Sequence, residues 1–207
     1  PAGAQMPGVP LLQNGFVRGG AAVAANYATA EATDVFGVAG AWTPGSGRFQ
    51  LSAGVGALGV DGGDGRRTTG GLRVALPIST PWTRGPASPI GLTGFVGVGG
   101  ASFEGATLVQ VPVGVGVGYR RRLGASRAVS VFATPFYQWT RLSGVDAPEG
   151  AEEPDLESSL FRVSLGGEVL LTRRIGATLG YELGGTADEG RPGQTGGVFG
   201  VGISFAF

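Results

Sequence analysis

"GGVFGVGISFAF", residues 196–207, sets Phe199, Val201, Ile203, Phe205 and Phe207 on alternate positions, with Val198, Gly200, Gly202, Ser204 and Ala206 between them. A period of two marks a β-strand, whose successive side chains point to opposite faces. One face of this strand is wholly apolar and strongly aromatic; the other is mostly glycine and other small residues. A water-soluble sandwich would bury the first row but coat the second face with long polar and charged side chains. Glycine on the second face suits the crowded inside of a narrow closed barrel, with the apolar row turned to lipid.

The same one-sided alternation recurs upstream. Val109, Val111, Val113, Val115, Val117 and Tyr119 alternate with Gln110, Pro112, Gly114, Gly116 and Gly118, and Phe161, Val163 and Leu165 alternate with Arg162, Ser164 and Gly166. Ten such segments separated by turn chemistry are predicted, at about residues 21–29, 34–42, 48–58, 70–78, 90–102, 107–120, 127–141, 159–172, 175–185 and 196–207. Lengths near ten suit tilted membrane strands, which need about 9–11 residues. The apolar run at 111–119 is half the length a membrane helix requires and is broken by glycines. The expected fold is therefore all-β, a transmembrane up-and-down antiparallel β-barrel of ten strands over residues 20–207. Eight strands are the alternative, because the alanine-rich segments at 21–29 and 34–42 contrast their faces poorly. Residues 1–19 lack a clear period and form a separate segment, loose or tucked in as a plug. Within them "AGAQ", residues 2–5, reads as a small-x-small signal-peptidase site.

Composition narrows the function. The 207 residues include 42 glycines and are 42% apolar but only 14% charged, which predicts an ordered chain in one domain. Fifteen arginines balance fifteen acids, so no net field draws in nucleic acid. Lys, His and Cys are absent. Without His there is no side chain poised to take a proton near neutral pH, and without His or Cys a zinc site has no ligands. Neither catalysis, nor a metal, nor a cofactor is expected.

The charges are sorted along the chain. Thirteen of the fifteen acids fall in or beside the odd-numbered connections, whereas Arg48, Arg84, Arg120, Arg121, Arg122, Arg127, Arg173 and Arg174 gather at the even ones. An up-and-down barrel places alternate connections on opposite rims, so ten strands predict one acidic and one basic end. The stretch "GVGALG" at 54–59 matches a dinucleotide-binding pattern but is followed by a loop instead of a helix, and is set aside. "DGGDGRR" at 61–67 carries Arg67 where a calcium turn would want Asp, and "DAPEGAEEPDLE" at 146–157 reads as a solvated acidic loop.

Taken together, these strands, the long acidic loops on one rim and the "ISFAF" ending resemble the bacterial outer-membrane β-barrel proteins. The resemblance covers about residues 20–207. It implies an outer-membrane location, both termini on the periplasmic side, and a lipid bilayer, with lipopolysaccharide, as the surroundings. It also implies recognition by the barrel-assembly machinery through Ile203, Phe205 and the terminal aromatic Phe207. The enzymes of that family rely on a histidine that this chain lacks.

Within this frame Trp42, Tyr119, Trp139, Tyr181 and Phe207 fall near strand ends and are expected to form aromatic girdles at headgroup level. Arg73, Arg162, Glu168 and Glu182 share the parity opposite to the apolar rows and are expected in the lumen. There they either pair and seal it or line a narrow water path. The functional expectation is a non-enzymatic barrel, most simply a monomer, with a structural or small-solute pore role. The alternative is a surface binding or adhesion module using the acidic loops.

Overall fold

The computed structural model describes residues 16–17, 19–30, 33–45, 47–60, 62, 65–78, 88–102, 105–144, 156–183 and 197–207. The proposed signal-peptidase site, nearly all of the 146–157 loop and the 186–195 loop lie outside these residues. Ten strands follow one another: β1 Gly20–Ala30, β2 Thr33–Thr43, β3 Gln50–Val60, β4 Arg67–Pro77, β5 Ile90–Ser102, β6 Thr107–Arg122, β7 Ala128–Ser143, β8 Leu156–Leu170, β9 Ile175–Leu183 and β10 Val198–Ala206. Each pairs antiparallel with the next, and β1 pairs with β10, so the sheet is a closed barrel. The eight-strand alternative is corrected: the alanine-rich β1 and β2 pair along their whole length, from Gly20↔Thr43 to Ala30↔Thr33. Their faces contrast poorly because alanine serves both sides of a barrel wall, not because they lie outside it.

The register fixes the dimensions. Following directly opposed residues from Arg120 through Ser130, Glu168, Thr178, Gly202, Asn26, Gly37, Gly56, Thr69 and Ala101 returns to β6 at Leu108. The displacement on β6, 120 less 108, is a shear of 12 residues. With about 3.3 Å per residue and about 4.8 Å between strands, ten strands at that shear tilt about 40° around a wall of about 10 Å radius.

Both faces of this wall follow the alternation. The outward residues are apolar and open, as at Val55 (65% exposed), Ile203 (66%) and Phe207 (74%). The inward residues of β5 to β8 are buried, among them Phe95, Gln110, Phe132, Phe136 and Gln138. Across the lumen, β10, β1, β2 and β3 present mainly glycine and alanine. The large rings need the glycines. At Gly114 a Cβ would lie 2.5 Å from the Phe136 Cβ and 2.8 Å from the Phe95 ring, and Gly166 makes the same room for Phe132. At Gly114 and Gly166 the second face is therefore glycine because large side chains on neighbouring strands lie across it.

One rim carries both ends of the barrel and the β2–β3, β4–β5, β6–β7 and β8–β9 connections; we call it the terminal rim. Two of its turns are held by local hydrogen bonds: Gly47 donates to the Pro44 carbonyl at 2.8 Å in the β2–β3 turn, and Thr172 Oγ1 accepts from the amides of Arg174 and Ile175 in the β8–β9 turn. The other, or loop, rim carries the β1–β2, β3–β4, β5–β6, β7–β8 and β9–β10 connections. There β8 begins at Leu156, so Glu157 belongs to the strand and not to the acidic loop. It stands directly opposite Arg141, with 3.9 Å between Arg141 Nε and its Oε1.

Candidate functional site: the lumen

All four charges expected in the lumen face inward, but their pairing differs from a simple two-by-two match. Glu182 on β9 stands opposite Ser164 on β8, so Arg162, two residues before Ser164, reaches it diagonally. Arg162 Nε lies 2.7 Å from Glu182 Oε1, with the side chains 3% and 2% exposed. Along the ladder Arg162 is directly opposite Phe136, which faces Gly114, which faces Phe95. The aromatic rings thus continue the row from the ion pair toward the far wall, and Ala75 closes the Phe95 and Phe136 cluster.

Glu168 sits in a second row nearer the terminal rim. Arg120, Ser130 and Glu168 are directly opposed on β6, β7 and β8. Arg120 Nη2 and Ser130 Oγ both donate to Glu168 Oε2 at 3.4 Å. The ring of Phe16, ahead of β1, covers the Arg120 guanidinium at 4.0 Å, an aromatic-on-cation stack. Arg120 is not among the four charges expected in the lumen, although it continues the parity of Gln110, Pro112, Gly114, Gly116 and Gly118. That parity was the available signal.

Arg73 projects inward between Ser52 on β3 and Gly97 on β5, away from both ion pairs. Among the described residues its Nε has no hydrogen-bond partner. At the loop rim the interior turns apolar: Val35, Leu58, Ala101 and Leu108 cluster with Leu142 against them, and Ala28 packs on Val198. Between the apolar cluster and the Glu168 row, Thr93, Thr134 and Ser164 are completely buried and Thr69 and Phe136 nearly so. A water-sized sphere does not reach these side chains. The chemistry available here is electrostatic pairing and packing. Among the described residues no cluster of His, Cys, Asp and Glu is arranged to hold a metal ion.

On the outside, Trp42, Tyr119 and Phe207 lie at the terminal rim, and Trp139 and Tyr181 lie toward the loop rim. Ile203, Phe205 and Phe207 all point outward, with Phe205 and Phe207 edge to face at 5.2 Å between ring centres.

No protein-family model matches the chain, and no curated protein matches it. Among solved structures it is similar to the N-terminal β-barrel domain of Pseudomonas aeruginosa OprF, at 12% identity and a TM-score of 0.39, covering 92% of this chain and 100% of that one. It is also similar to the KdgM porin, at 7% identity, a TM-score of 0.42 and coverages of 90% and 99%. A third is Ail, the attachment invasion locus protein of Yersinia pestis, at 7% identity, a TM-score of 0.34 and coverages of 92% and 100%. At these identities and TM-scores the assignment rests on the chain's own geometry. A closed, even-stranded, up-and-down cylinder with an apolar outside is the build of the outer-membrane β-barrels, and the bilayer is its solvent.

Proposed function

We propose that this protein is a non-enzymatic barrel of a bacterial outer membrane whose lumen is held shut. Its role is structural, and solute passes only when the interior packing opens. The observation that carries this reading is the Arg162–Glu182 ion pair, buried on both sides and continued by Phe136 and Phe95 toward the opposite wall. A charge pair so placed leaves the interior without net charge, and removing one partner leaves the other's charge uncompensated. The outward rings of Trp42, Tyr119, Trp139, Tyr181 and Phe207 serve as headgroup-level belts. Ile203, Phe205 and Phe207 serve as the mark by which assembly machinery recognises the last strand. The terminal rim faces the periplasm.

Planar-bilayer recording tests the closed lumen. The wild-type barrel is expected to be electrically silent, while Arg162→Ala and Glu182→Ala each introduce leak. Steady conductance by the wild-type monomer, or silence in both variants after verified insertion, overturns the reading.

A further inference from the structure

The terminal rim opens into a vestibule of about 890 Å³, with Arg120, Arg122, Arg127 and Arg173 in its lining. They come from three places in the fold: the end of β6, the turn before β7, and the β8–β9 turn. Arg120 is engaged by Glu168 and capped by Phe16. Arg121 is left out of the site, because it carries the outward parity of Tyr119 and stands opposite Val129 on the outer row. Among the described residues Arg127 and Arg173 have no carboxylate within ion-pair distance, and no acidic residue lines the vestibule. Like charges drawn around one concavity raise a positive potential there, which the apolar wall and lipid on its flank do not dissipate. Its volume lies within the range of small-molecule sites, about 300–1,000 Å³.

We propose that this vestibule is a binding site for a soluble phosphate-bearing anion. Guanidinium groups hold phosphate oxygens through paired N–H donors, which a point charge does not provide. The site lies on the terminal-rim side of the Arg162–Glu182 pair, so it is independent of whether the lumen conducts.

Pyrophosphate titrated into the folded full chain in zwitterionic nanodiscs at low salt, followed by calorimetry, is the test. Saturable one-to-one binding that weakens as salt rises is expected. The variant Arg127→Ala/Arg173→Ala should bind at least about tenfold more weakly, since deleting even one charge-assisted hydrogen bond weakens binding by about that factor. Gel mobility with and without heating shows whether that variant has folded. Should it fail to fold, Arg173→Ala alone, in an exposed turn, is expected to lose severalfold. Absence of saturable binding by the wild-type chain, or equal affinity in the variants, overturns the proposal. Discs containing phosphatidylglycerol separate the two sources of phosphate. Undiminished pyrophosphate binding supports a soluble ligand, whereas displacement by the lipid assigns the arginines to headgroups and overturns it.

Discussion

Removing the carboxylate of Glu182 strands the guanidinium of Arg162 where its side chain is 3% exposed. Its neighbours along the ladder are Phe136 on one side and the fully buried Ser164 close by. Truncating one member of a buried pair costs about 3–5 kcal/mol, chiefly because the remaining charge is neither hydrated nor matched. With a urea dependence of about 2 kcal/mol per molar, Glu182→Ala should lower the unfolding midpoint by about 2 M. Arg162→Met should cost a similar amount. The double variant Arg162→Met/Glu182→Leu should recover most of the loss, because replacing both charges by apolar groups of similar volume is close to neutral. The cycle, closed with Glu182→Leu as the single variant, can be read from tryptophan fluorescence during reversible urea unfolding in lipid vesicles, with coupling of at least about 5 kcal/mol expected when two such single costs meet a near-neutral double variant. Single-variant costs below about 1 kcal/mol, or costs that simply add, would refute the claim that the pair is desolvated and mutually dependent.

Other consequences are open to measurement. Gly114→Val drives new methyl groups into Phe136 and Phe95 and should destabilise the barrel by about 1–3 kcal/mol in the same assay. Gly40→Ala, on the outer face with nothing within 4 Å, is expected to be tolerated, and equal losses at the two glycines would contradict the packing account. Val55→Arg, in the middle of β3 and 65% exposed, should cost about 2–4 kcal/mol in a bilayer. No penalty there would mean that this face meets water. Polarised infrared spectroscopy of oriented bilayers should find a mean strand tilt of about 40°; a value below about 30° would contradict the shear read from the register.

The strands were legible because a barrel wall between lipid and a crowded interior imposes its alternation on the residues themselves. The rows at 107–120 and 196–207 show it without help. β7 shows it poorly, since Phe132 and Phe136 face inward while Val131 and Tyr137 face lipid, leaving both faces apolar. Register is a different matter. Any even offset between neighbouring strands preserves which face each residue occupies, so alternation alone leaves the shear undetermined. The partners of the lumen charges depend on that offset. Four inward charges were readable by parity, but which acid meets which arginine was not, and Glu168 turned to Arg120 instead of Arg73. The arginines at the even connections were visible as a bias. That Arg122, Arg127 and Arg173 meet at one vestibule needed the closed cylinder.

The seam between β1 and β10 joins Ala22 to Ala206 and Thr29 to Phe199, residues of the first and the last strand of the barrel. Every intermediate lacking β10 must therefore expose two raw borders of unpaired amides and carbonyls, which hydrocarbon cannot hydrate. Entry into the membrane and completion of the cylinder are for that reason coupled events: a half-built sheet has nowhere dry to wait. The strip from Phe199 to Phe205 completes the seam, and a chain shortened before it should accumulate outside the bilayer as a protease-sensitive species.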